Sequence, residues 1–111
     1  MTVSKKSTPK IDWASEVTPL RYELLGASID SEHSGFDSVC ASTARQVCHR
    51  LRNMRDAPGV SEESRDLLAQ AVFELSRVEE VWVGGGSASE CAAGINNALS
   101  LLTRLEFGSS S

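Results

Sequence analysis

The chain has 111 residues, 41% hydrophobic and 23% charged, which is the composition of one ordinary globular domain. A net charge of −4 argues against the bulk positive field of a nucleic-acid binder, and the apolar runs fall far short of the ~20 residues a bilayer span needs. No apolar stretch follows the N-terminal lysines as a secretory signal requires, and three cysteines cannot all pair, so a reducing, cytoplasmic location is expected.

Charge varies along the chain: +2 over residues 1–12, −3 over 13–35, +2 over 36–60, −4 over 61–83 and −1 over 84–111. The lead-in 1–12, with Lys5, Lys6 and Lys10, is polar and without period, and is expected to be disordered. A tail is expected over 108–111, leaving 13–107 as a single helical domain.

The first helix has two readings. Thr18-Pro19 resembles an N-cap followed by proline at the first helical position, with the helix running to about Ile29 and a break over Ser31 to Gly35. Trp13, Val17, Leu20, Leu24 and Ala27 also form an unbroken stripe, so a turn from Asp12 could lead into the main helix, bent at Pro19. In the second helix Phe36, Cys40, Thr43, Ala44, Val47, Leu51 and Met54 repeat with the helical period, ending at Asp56-Ala57-Pro58-Gly59. Ser61 caps the third helix, whose apolar stripe is Leu68, Ala71, Val72, Leu75, Val78 and Trp82; Gly84-Gly85-Gly86 stops it. Ser87 and Glu90 form a capping box for the fourth, with Cys91, Ile95, Ala98, Leu99, Leu102 and Leu105 on one face. No strand-length alternation occurs, so the fold class is all-α: a small bundle of about four helices with antiparallel neighbours.

Chemistry-bearing patterns are sparse. Gly84 to Ser87 precedes a helix N-terminus, where an anion could sit, but it lacks the lysine of a phosphate loop and the spacing of a dinucleotide fingerprint. Cys48 and His49 are adjacent and diverge by about 100° on a helix; Cys40 and Cys48 are eight apart, ~12 Å, too far for a disulfide. No C-x-x-C motif suggests zinc. His33 sits among polar residues of an expected loop. No catalytic residue, metal or cofactor is therefore expected.

Arg45, His49 and Arg52 follow at i, i+4 and i+7 as a basic stripe on the outer face of the second helix. It reads either as a solvated face paired in part with the acidic third helix, or as a docking stripe for nucleic acid or an acidic protein. No aromatic residues interleave with it for base stacking, and a third helix at −4 would repel phosphate.

Two apolar features remain once the core is filled. Tyr22, Leu25 and Ile29 lie roughly opposite Leu20, Leu24 and Ala27, making the first helix apolar on both sides. Phe73 stands about 180° from the Leu68/Leu75 stripe, among Asp66, Ala69, Arg77 and Glu80. Both have the anatomy of interface anchors, and a homodimer is expected.

The first helix through WASEVTPLRYELL, the basic helix through ARQVCHRLRNMRD and the acidic helix through LLAQAVFELSRVEEVW resemble the QslA-type quorum-sensing antiactivators. That resemblance implies a non-enzymatic, dimeric protein that binds the LuxR-type regulator LasR at its dimerisation surface and keeps it from DNA. The alternative is a small nucleic-acid-associated regulator that uses the Arg45/Arg52 stripe and the lysine-rich lead-in. A small-molecule binder at Gly84–Ser87 is a third possibility.

Overall fold

A computed structural model describes residues 13–108; the expected lead-in 1–12 and residues 109–111 of the expected tail lie outside the described residues. Four α-helices follow in order: α1 (Trp13–Ser34), α2 (Ser38–Arg55), α3 (Glu62–Val83) and α4 (Ala88–Thr103). A π-helical turn over Arg104–Gly108 continues α4. Among the described residues there is no strand, and the all-α bundle is the fold the periodicity predicts.

Local chemistry sets most boundaries. Ser61 Oγ accepts from the Ser64 N–H at 3.2 Å, and Ser87 Oγ from the Glu90 N–H at 3.1 Å, satisfying donors left over at the starts of α3 and α4. The Glu90 carboxylate meets the Ser87 hydroxyl rather than completing the reciprocal capping box. Asp37 caps α2 by accepting from the N–H groups of Val39 and Cys40, both at 3.1 Å. Those bonds, the Cys40 one foremost, hold its carboxyl below the usual range.

Three expectations about the elements need correction. Phe36 does not belong to the second helix; it precedes the Asp37 cap and is buried against Trp82, ring centroids 5.3 Å apart. Helix α1 neither starts at Pro19 nor stops near Ile29, but runs unbroken from Trp13 to Ser34. Val17, Leu20, Leu24 and Ala27 are all buried, and burial along that continuous stripe outweighs the one backbone bond Pro19 cannot make. Ser31 to Ser34 carry no stop signal of their own. The helix ends at Gly35, which adopts φ 88° and donates to the Ser31 carbonyl at 3.0 Å. Finally, the ordered helical segment extends through Gly108 instead of giving way to a tail there.

Cross-helix pairs establish antiparallel neighbours, because one residue number falls as the other rises. Arg45 meets Glu79 and Arg52 meets Ser76 across α2 and α3. Cys91 meets Val78 and Asn97 meets Glu74 across α3 and α4. Arg21 meets Glu106 and Ser28 meets Asn96 where α1 returns to the far end of the chain. Helix α1 packs on α2 and α4, as does α3, so α1 and α3 occupy opposite corners. Leu24, Leu51, Leu68, Leu75, Ile95, Leu102 and Leu105 are each under 2% exposed and fill the space between. Truncating one of these leucines to alanine removes ~2–5 kcal/mol, most of a small domain's margin.

Gly94 lets α3 and α4 approach closely. A Cβ there would overlap Val78 Cγ2 and stand 3.4 Å from the Glu74 carbonyl.

Candidate functional site

Helix α1 is apolar on two faces, and the bundle covers only one. Tyr22 is 60%, Leu25 39% and Ile29 46% exposed, while Val17, Leu20, Leu24 and Ala27 are at most 5% exposed. Spacing of i, i+3 and i+7 places the three exposed side chains in one stripe. Gly26 lies on the adjoining row, between Glu23 and Asp30, and nothing comes within 4 Å of where its Cβ would be. A glycine inside an exposed helix costs ~1 kcal/mol against alanine. Gly94 earns its place by close packing; Gly26 has no such neighbour in this molecule. Glu23, Asp30 and Glu32 are exposed and edge the stripe with carboxylates.

At its N-terminal end the stripe is anchored by a network that sequence reasoning missed. Arg21 Nε donates to Glu106 Oε1 at 2.7 Å, and the Thr18 hydroxyl donates to Glu106 Oε2. The two charged side chains are 19% and 7% exposed, so solvent screens the pair weakly. The Arg21 bond and then the Thr18 bond hold the Glu106 carboxyl below its usual range; the same Glu106 bond raises Arg21. The Arg21 guanidinium also lies 5.1 Å from the Tyr22 ring centroid and 5.5 Å from that of Phe107. Phe107 is 60% exposed, so the π-helical turn adds a second aromatic ring beside Tyr22. The only signal in the sequence was a charged pair, Arg21 and Glu106, each next to an aromatic residue.

Phe73 is 60% exposed, as its angular position on α3 predicts, with Arg77 6.0 Å over its ring. It does not join Tyr22, Leu25 and Ile29. With α1 and α3 at opposite corners, these outward residues form two separate surfaces.

The basic stripe is exposed but partly engaged. Arg45 Nε lies 3.1 Å from Glu79 Oε2, and Arg52 Nη2 donates to Ser76 Oγ at 3.2 Å; His49 is exposed between them. Two of its three residues thus bind α3, as the solvated-face reading anticipates. His33, expected in a loop, is exposed in the last turn of α1.

The glycine run has its donors in use. Gly84, Gly85 and Gly86 donate to the carbonyls of Glu80, Trp82 and Val81, and Ser87 Oγ is occupied by the α4 cap. These contacts terminate α3 and leave those groups poorly placed to cradle an anion. A cleft beside Arg77 and Gly94 measures about 120 Å³, below the ~300 Å³ at which small-molecule sites begin.

The three cysteines are free, buried and distributed one to each consecutive helix seam. Cys40 Sγ contacts the Ala27 carbonyl at 3.6 Å, Cys48 Sγ that of Val72 at 3.8 Å, and Cys91 Sγ that of Val78 at 3.8 Å. Burial raises the Cys40 and Cys91 thiols, which disfavours the reactive thiolate. Among the described residues no group of three or more His, Cys, Asp or Glu could hold a metal ion, and no helix is long and apolar enough to cross a membrane.

No protein family, curated protein or solved structure matches this chain.

Proposed function

We propose that this protein is a non-enzymatic interaction module that works by occlusion, covering apolar surface that a partner needs for its own assembly. One observation carries the reading: α1 exposes Tyr22, Leu25 and Ile29 along a face whose opposite side is already buried in the core. Apolar side chains aligned on a rigid helix form an anchor row with little ordering entropy left to lose on binding. The likeness to QslA-type antiactivators supplies the partner class, a cytoplasmic LuxR-type regulator such as LasR, engaged at its dimerisation surface so that it no longer binds DNA. Self-association into a homodimer belongs to the same reading and falls to the Phe73 face, which lies at the opposite corner from α1.

Titration calorimetry against the purified ligand-binding domain of LasR tests this. Wild-type protein is expected to bind and to dissociate the regulator's dimer. Leu25→Asp or Ile29→Asp would desolvate an unpaired carboxylate, so binding should fall by well over tenfold with helical circular dichroism retained. Arg45→Ala combined with Arg52→Ala should bind normally. If that pair abolishes binding while both aspartate variants bind as wild type, occlusion by α1 is wrong. A salt-sensitive mobility shift with DNA would then favour the electrostatic alternative.

A further inference from the structure

Three features of the α1 face bear on what it would hold. Gly26 is an exposed mid-helix glycine that no turn, cap or internal neighbour requires, and it leaves a gap beside Leu25 and between Tyr22 and Ile29. Such a gap beside large apolar residues is the shape into which one helix seats a side chain of another at close backbone distance. The edges are acidic: Glu23 and Asp30 flank Gly26 on its own row, and Glu32 lies beyond Leu25 and Ile29 on the other. Arg21, the one arginine of α1, has its charge matched by Glu106, and His33 follows Ile29 at the far end of the stripe.

Resting on the reading of this face as the docking surface, we infer that its occupant is a partner's amphipathic helix, crossing at Gly26, with an apolar ridge flanked by lysine or arginine. Charge complementarity selects that occupant over a second copy of this chain. Packing α1 on α1 would oppose carboxylate edges of the same sign across the contact.

Two designed helical peptides of equal length and apolar ridge test the inference, one flanked by lysines and the other by glutamates, each titrated by fluorescence anisotropy. The lysine-flanked peptide should bind wild-type protein at least tenfold tighter than the glutamate-flanked one, with affinity falling as salt rises. Gly26→Leu fills the gap and should weaken binding at least tenfold while the melting temperature stays level or rises. Glu23→Gln with Asp30→Asn and Glu32→Gln should remove most of the difference between the peptides. Equal binding of both peptides, binding of neither, or undiminished binding by Gly26→Leu would overturn the inference. So would sedimentation showing that Gly26→Leu turns a dimer into a monomer, which would make the occupant a second copy. Leu25→Asp separates this failure from that of the docking surface. If Leu25→Asp loses LasR while Gly26→Leu binds normally, only the crossing at Gly26 is lost; if Leu25→Asp also binds normally, the surface is not the docking site.

Discussion

Arg21 and Glu106 stand 85 residues apart in sequence and 2.7 Å apart in space. Their bond fastens the π-helical turn to α1 and keeps Phe107 beside Tyr22, at the end of the apolar stripe. The charged side chains are 19% and 7% exposed, so this pair is expected to contribute more than a fully exposed ion pair does.

Stability should report that bond through pH. The folded-state carboxyl of Glu106 is held below its unfolded value, so its contribution is complete above the unfolded value of ~4.3 and disappears as pH falls through the lower folded one. At pH 7, Glu106→Gln should cost about 1–2 kcal/mol. In urea melts from pH 7 to pH 3 the gap between wild type and variant should close below about pH 4. A gap independent of pH would mean that the pair adds no net stability.

Gly26→Ala and Gly94→Ala should shift stability in opposite directions. At Gly26 a methyl group meets open space, and the helix gains up to ~1 kcal/mol. At Gly94 it meets Val78, a stiff, buried residue, and overpacking of ~1–3 kcal/mol should exceed the propensity gain. Thermal melts should move by several degrees each way, since 1 kcal/mol corresponds to about 4–8 °C in a domain near this size.

The cysteines should tolerate serine unequally. Cys48→Ser places a hydroxyl where the Val72 carbonyl and Ser76 Oγ already surround the sulfur, so stability and partner binding should stay near wild type. Cys91→Ser should cost ~1–2 kcal/mol, because it places a hydroxyl in an apolar seam where the Val78 carbonyl approaches the sulfur only at 3.8 Å. If the proposed binding of LasR is observed, a folded Cys48→Ser variant that loses it would reveal chemistry at this thiol.

Sedimentation equilibrium at ~100 μM should show a dimer, as expected of an interface burying roughly 1,200 Å² or more. Phe73→Ala should lower the mass toward the monomer while Leu25→Asp leaves it unchanged. A monomeric wild type, or a dimer that Leu25→Asp alone breaks, would remove the assignment of self-association to Phe73.

Elements set by nearby residues were the legible ones. The caps at Ser61 and Ser87 and the stop at Gly84 act within one turn, and each lies where its sequence pattern predicts. Phe36 misled because a residue just outside a cap can fall in phase with the helix and still be buried. The C-terminal end of α1 misled because serines weaken a helix without ending it, and the terminating conformation belongs to Gly35. At the surface, angular position alone placed Tyr22, Leu25, Ile29 and Phe73 outside the core. Their division between two corners depends on which helices are neighbours, a property that no single helix encodes. The Arg21–Glu106 bond was hidden for the same reason. Gly26 carries no sequence signal of its own, because an interior glycine can equally mark close packing, as Gly94 does.

The return of the π-helical turn to α1 makes the bundle a closed circuit. Arg21 is eight residues, ~12 Å of helix, from Trp13, and its partner Glu106 is two from Gly108, so the two limits of the described segment lie toward the same end of the bundle. Chain connectivity is then separable from helix packing: a short linker joining these limits would permit a circular permutant opened between Gly84 and Ser87. In that permutant α4 would lead and α3 would finish, while α1 and its exposed apolar face would pass from the periphery of the sequence to its middle.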